Sequence, residues 1–263
     1  MQRILLRAAL VAMGALPSLF GQPAALNAAQ LDQLVAPIAL YPDPLLAQVL
    51  AASTYWNQIS EAAAWADQHS YLKGDALARA IQEDHLPWEP SILALLPFPS
   101  VLDMLARNLT WTEQLGTAVL TQPADVMDAI QRMRRKAQEY GYLQSNPFIN
   151  VLSGGDNIEL IPANPSVIYL PEYDPIVVFS PPARGVVIGG ALRFGPAIRV
   201  GAFVPFGWVG PPSFVWPRRT ILIDGRPWAR TWVNRGVYVH PYAAPRIVGP
   251  RVEHHQIRGR PHR

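Results

Sequence analysis

Apolar residues recur at helical spacing through the first half of the chain and gather into short runs in the second. Leu31, Leu34, Val35 and Ile38 open the helical pattern, because one face of an α-helix returns every three to four residues. Tyr41-Pro42-Asp43-Pro44 then predicts a stop and restart, with Asp43 as N-cap and Pro44 in the first turn. The helix it opens, Leu45 to Ala52, is apolar almost all round and is expected in the core. Further helices are predicted over Asn57 to Gln68 and Asp75 to Gln82, and a short one over Ile92 to Leu96. Beyond Pro97 and Pro99, Ser100 is placed to cap a helix carrying Val101, Leu102 and Leu105. Thr110 and Glu113 have the spacing of a capping box for a helix to Thr121. Pro123 starts the longest helix, in which Val126, Ile130, Met133, Ala137 and Tyr140 form one stripe. Asp125 and Asp128 stand at its start, Arg132, Arg134, Arg135 and Lys136 toward its end, as the helix dipole favours. Gly141 is its natural stop.

After Asn146-Pro147 the period shortens. Phe148–Leu152, Ser153–Asn157 and Ile158–Ile161 read as strand, turn and strand. Val167–Leu170 and Ile176–Phe179 are further short strands, and the prolines bounding such runs fit edge positions. Residues 185–204 are glycine-rich and apolar, but Arg193, Pro196 and Arg199 interrupt them and argue against a membrane span. Thr220–Ile223, Asp224-Gly225 and Trp228–Val233 predict a hairpin, with Val237–Val239 as a third strand. The predicted fold is therefore α+β: an N-terminal bundle of short α-helices followed by a short-strand, β-rich, Pro/Gly-rich C-terminal region. Residues 1–29 read as a signal peptide, 30–145 as the helical domain and 146–180 as an extended β segment. Residues 181–244 read as a basic Gly/Pro/Trp-rich β region, and 245–263 as a disordered basic tail.

The signal reading rests on Arg3 and Arg7 ahead of an uncharged run, Ala8 to Leu16, which Pro17 breaks before small residues. Nine helical residues span only about 13 Å, well short of a bilayer core. Cleavage is expected near Ala28-Ala29, and with it an extracytoplasmic location in the periplasm or cell envelope. The chain has no cysteine, which removes disulfides, thiol nucleophiles, thiolate metal sites and a lipoprotein anchor.

Charge is divided along the chain. Residues 30–180 hold 17 carboxylates against seven bases, whereas residues 181–263 hold 13 arginines against Asp224 and Glu253. Such a split predicts either contact between the acidic and basic halves or an anionic partner for the basic one. Outside the cytoplasm the anionic candidates are lipid, lipopolysaccharide and wall polymer, and nucleic acid is not expected. Arginine suits phosphate, because its planar fork pairs with two oxygens at once.

Long stretches also resemble a known family. LDQLVAPIALYPDPLLAQVLAASTYWNQISEAAAW (Leu31–Trp65), LKGDAL (Leu72–Leu77), WTEQLG (Trp111–Gly116), QPADVMDAIQRMRRKAQEYGYL (Gln122–Leu143) and IPANPSVIYLPEYDPIVVF (Ile161–Phe179) closely resemble the bacterial domain of unknown function family numbered 3300. The likeness covers about residues 30–180. It departs at Trp56-Asn57, where relatives carry proline after the tyrosine. The resemblance implies export and an envelope location, and brings no established activity.

Catalytic motifs are absent. The chain has no P-loop, dinucleotide fingerprint, Gly-x-Ser-x-Gly or His-Glu-x-x-His. Glu83-Asp84-His85 reads as a solvated helix end, and His254, His255 and His262 lack the surrounding shell that fixes a metal ligand. No cofactor is predicted. Two groups of residues are candidates for binding. Tyr41, Asp43, Ser53, Thr54, Tyr55 and Trp65 lie where a groove could form in the helical half. Trp216, Arg218, Arg219, Arg226, Trp228, Arg230, Trp232 and Arg235 interleave aromatic and cationic side chains, as sugar stacking or seating at a headgroup interface requires. The expected function is a non-enzymatic envelope scaffold or interaction protein whose basic region contacts anionic components. The alternative is an envelope glycan or peptide hydrolase using Asp43, Glu83 or Asp84.

Overall fold

The computed structural model describes residues 23–182, 190–208, 210 and 212–242. Residues 1–22 of the expected 1–29 leader, and the whole expected tail 245–263 with its three histidines, lie outside the described residues. Asn27 and Gln30 cap each other at the start of α1 (Ala28–Val35): each backbone N–H donates to the other's side-chain oxygen. α2 (Asp43–Ser53) is buried over its whole length and forms the central element. Around it lie α3 (Ile59–Gln68), α4 (Gly74–Glu83), the single turn α5 (Pro90–Leu93), α6 (Pro99–Arg107), α7 (Leu109–Thr121) and α8 (Pro123–Glu139).

The helix stops follow local chemistry. Gly141, at φ 81°, lets its N–H reach Gln138 and the Tyr142 N–H reach Ala137, closing α8 with a Schellman pair. Three starts depart from the sequence reading. Asp43 does not cap α2; Pro42 precedes the helix and the Asp43 carboxylate turns into the core. α6 begins at Pro99 after Phe98, and α7 after Asn108, neither with a side-chain cap, so Ser100 and the Thr110–Glu113 pair are not capping devices. Packing of their apolar faces holds these helices instead, which in proteins usually outweighs end effects.

The second half forms three small antiparallel sheets. β1 (Ile149–Gly154) pairs with β2 (Asn157–Pro162), and β3 (Val167–Tyr173) with β4 (Leu192–Arg199). The third sheet joins β5 (Phe214–Val215), β6 (Thr220–Ile223) and β7 (Arg226–Pro227). Asp224 and Gly225 turn β6 into β7 with φ of 52° and 69°, the double left-handed geometry a two-residue hairpin loop needs. Ile176–Phe179 is not a strand but the helical turn α9 (Pro175–Val178): Asp174 accepts from the Ile176 N–H and Pro175 presets the first turn. Trp228–Val233 and Val237–Val239 are not strands either. β7 ends at Pro227, and residues 228–242 run as an irregular strap fixed by side chains.

The fold is α+β, as the pattern predicts. Its main apolar core includes the helical residues and also Val200, Phe203, Phe206, Trp208, Phe214, Trp216, Ile221, Ile223 and Trp228. The basic half is thus seated on the helices mainly by apolar burial, with one ion pair between them among the described residues, Arg219–Asp128 at 2.8 Å. Among the described residues no helix is long and apolar enough to cross a membrane.

Candidate functional site

Burial brings the sequence candidates together in two places. The first is a closed polar centre. α8 directs Arg134 into the core, where its exposure falls to 0%. Its Nη1 pairs with Asp43 Oδ1 at 2.7 Å, and its Nε, Nη1 and Nη2 donate to the carbonyls of Ala39, Ile158 and Tyr41 at 2.9, 2.8 and 3.1 Å. Asp43 also accepts from Trp216 Nε1 at 2.9 Å, and the Trp216 ring lies 5.0 Å from the guanidinium carbon. Gln131 completes the centre by clasping both backbone groups of Ile158. Burial pushes the Asp43 carboxyl above its ordinary range, while Arg134 and the Trp216 bond oppose that rise. Tyr41 lends the centre its carbonyl, and its own phenol is pushed up by burial. One buried ion pair therefore joins α2, α8, β2 and the C-terminal half.

Arg134 was missed as a site residue, since it was counted among the charges of the α8 end. Its position carries a signal: it stands four residues after Ile130 and eight after Val126, on the same helical face. A cation on an apolar stripe calls for a buried partner.

The second place is the seat of the strap. Arg230 lies 3.6 Å over the Tyr55 ring and donates to the carbonyl and hydroxyl of Thr54 and the carbonyl of Arg235. Trp228 meets Tyr55 and Tyr238 edge-on. The Ile223 carbonyl accepts from His240 Nε2, so Nδ1 is the nitrogen that accepts from the Tyr238 hydroxyl, at 2.9 Å. Burial lowers the His240 pKa and keeps the ring neutral. Glu89 receives the Tyr242 hydroxyl on one oxygen and the Ser91 N–H and hydroxyl on the other. Burial raises the phenols of Tyr55, Tyr238 and Tyr242, with Glu89 adding to each, and lowers Arg230. Most polar groups here are spent on holding the strap, although Trp228 Nε1 and Arg230 Nε are buried without a hydrogen-bond partner. No phenol is inclined to ionise, and the Glu89 carboxylate already holds three donors. Glu89, Tyr238, His240 and Tyr242 were not among the sequence candidates, because nothing in local spacing pairs residue 89 with residue 242.

The remaining candidates disperse. Trp65 stacks on His69 at 3.9 Å and donates to Asp84, away from both clusters. Arg235 covers the Trp232 ring at 3.7 Å, and Trp232 is tied through its N–H to the Leu120 carbonyl. Arg219 pairs with Asp128, Arg226 donates to the Pro241 carbonyl, and Arg218 is exposed. Of the three carboxylates considered for hydrolysis, Asp43 is 2% exposed and has both oxygens occupied, while Glu83 and Asp84 are exposed at the end of α4, with Asp84 holding Trp65. They do not form a pair around a substrate. Among the described residues, no group of three or more His, Asp or Glu side chains is placed to hold a metal.

Comparison with known proteins gives a relative but no assigned chemistry. The "Uncharacterized protein YacH" of Escherichia coli (strain K12) is 37% identical over 187 residues, covering 59% of this chain and 30% of that protein. The chain thus spans less than a third of that relative's length. No solved structure matches. The family described as "Protein of unknown function (DUF3300)" matches residues 27–183, from the cap of α1 past β3 and α9. The chain belongs to the DUF3300 family.

Proposed function

We propose that this protein is a non-enzymatic cell-envelope protein whose C-terminal strap contacts anionic lipid or lipopolysaccharide. The observation that carries this reading is the strap's outer surface. Val233, Val237 and Val239 are 92%, 83% and 84% exposed, next to the exposed Arg235 and close in sequence to the exposed Arg226. Three bare β-branched residues gain nothing in water. At a headgroup interface they enter the acyl boundary while arginines meet phosphate. The contacts of the strap with Tyr55, Thr54 and Glu89 hold its backbone on the helices while these valines stay exposed. The closed state of Asp43 speaks against the hydrolytic alternative.

The full chain is expected to cosediment with phosphatidylcholine vesicles containing phosphatidylglycerol and not with phosphatidylcholine alone. Binding should fall as salt rises from about 0.05 to 0.5 M, because exposed ion contacts are screened. Val233→Asp with Val237→Asp should weaken it about tenfold or more, by removing apolar insertion and adding like charge. Absence of binding, or binding indifferent to salt, overturns the reading.

Export is part of the same proposal, and the fold constrains where a leader would be cut. The Leu26 N–H and carbonyl both pair with Gln122, and Asn27 caps α1. Cleavage at Ala28-Ala29 would remove these bonds, so in this reading the cut falls before Leu26. N-terminal sequencing of envelope-fraction protein checks it; a mature chain beginning at residue 29 would rule it out.

A further inference from the structure

We infer that the groove between the segment before α1, α1, α7 and Trp232 is a binding site for a neutral oligosaccharide. Its volume is about 620 Å³, within the range of small-molecule sites. Its lining includes none of the three exposed strap valines and neither Asp43 nor Arg134.

Two tryptophans line it, and each is held before any ligand arrives. Trp111 spends its indole N–H on the Leu34 carbonyl at 3.0 Å, which leaves the ring as a fixed apolar surface. Trp232 is fixed by its backbone bond to Leu120 and by Arg235, which stacks on the ring and donates to the Trp232 carbonyl. The wall opposite is pinned as well, because Gln122 clasps both backbone groups of Leu26. Aromatic surfaces held this way lose little freedom on binding.

The polar groups of the groove are in the opposite condition. Gln33, Glu113 and Gln114 are exposed and make no hydrogen bond within the protein among the described residues. Each glutamine offers two donors and an acceptor, the carboxylate two acceptors. Unspent groups that both donate and accept, set beside flat apolar rings, complement a sugar: hydroxyls on its rim and C–H bonds on its face. A proline-rich peptide also stacks on tryptophan, but its backbone offers mostly acceptors, and the Glu113 carboxylate would be left without a donor. An anionic ligand is disfavoured too, since the one charged side chain in the lining, Glu113, is a carboxylate.

Titration of the full chain with chitotriose and maltotriose, followed by tryptophan fluorescence and calorimetry, tests this. At least one trisaccharide is expected to bind saturably, with an affinity unchanged between about 0.05 and 0.5 M salt because the ligand is uncharged. That salt indifference separates the groove from the vesicle-binding face. Gln33→Ala with Gln114→Ala should weaken binding about tenfold while leaving the far-ultraviolet circular dichroism unchanged, since both side chains are exposed and unbonded. Trp232→Ala should weaken it similarly. Failure of both sugars to bind overturns the inference, as does preference for a polyproline peptide, or full affinity in the glutamine double variant.

Discussion

Replacing Arg134 with methionine is expected to lower the unfolding free energy by about 3–5 kcal/mol, the cost of leaving a buried charge without its partner. In Arg134→Met the Asp43 carboxylate keeps the Trp216 and Leu160 donors but loses its only cation among the described residues; the Ala39 and Tyr41 carbonyls lose the guanidinium donors, while the Ile158 carbonyl keeps Gln131. None of these groups is reached by solvent, so water cannot replace the guanidinium. Urea denaturation checks the size of the loss, which should not change with salt because a buried pair is poorly screened. Adding Asp43→Asn should restore part of it, since a neutral amide oxygen still accepts from Trp216 without an unpaired charge. A loss below about 1 kcal/mol would mean that the pair is open to water, as exposed pairs contribute no more than that. Trp216 packs on this pair, so its fluorescence should report loosening of the C-terminal half in the same variant.

Gly116→Ala is expected to destabilise the protein by about 1–3 kcal/mol, although alanine favours a helix over glycine by about 1 kcal/mol. The opposition of sign makes the test sharp. A β-carbon at residue 116 of α7 would lie 2.1 Å from the Ser53 carbonyl oxygen and 2.6 Å from its carbon. Both are backbone atoms at the end of α2, which is buried along its length, so relief requires moving a core helix rather than a side chain. Thermal and urea denaturation measure the outcome. Gly154→Ala, where a β-carbon meets nothing within 4 Å, serves as the control and should stay within about 0.5 kcal/mol of the original. A neutral or stabilised Gly116→Ala would show that α2 and α7 are not in contact there.

Both effects arise from contacts between distant segments, and that marks how far the candidate sites could be read beforehand. The sequence marks Tyr41 and Asp43 as candidates for a groove in the helical half, and Trp216 for stacking in the basic region. The fold puts them in one buried cluster around an arginine that had been read as a helix-end charge. Tyr55, Trp228, Arg230, Trp232 and Arg235 were legible as aromatic and cationic side chains suited to stacking. Much of that stacking is internal: Arg230 on Tyr55, and Arg235 on Trp232. The groove at Trp111 and Trp232 had no sequence signature, because its two rings come from segments on either side of the whole β region.

The sequence by itself determined the elements whose causes are local. The 3.6-residue stripe of α8, the Gly141 stop, the uniformly apolar α2 and the Asp224-Gly225 turn each follow from neighbours a few residues apart, and the α+β order follows from them. Tertiary structure decided everything that depends on partners far along the chain. The Trp216–Asp43 bond spans 173 residues and the Arg134–Ala39 bond 95. It also decided that Ile176–Phe179 coils and that residues 228–242 form a strap rather than strands. β-propensity needs a neighbouring strand to act on; in the strap, side-chain bonds to Thr54 and Glu89 fixed the backbone instead.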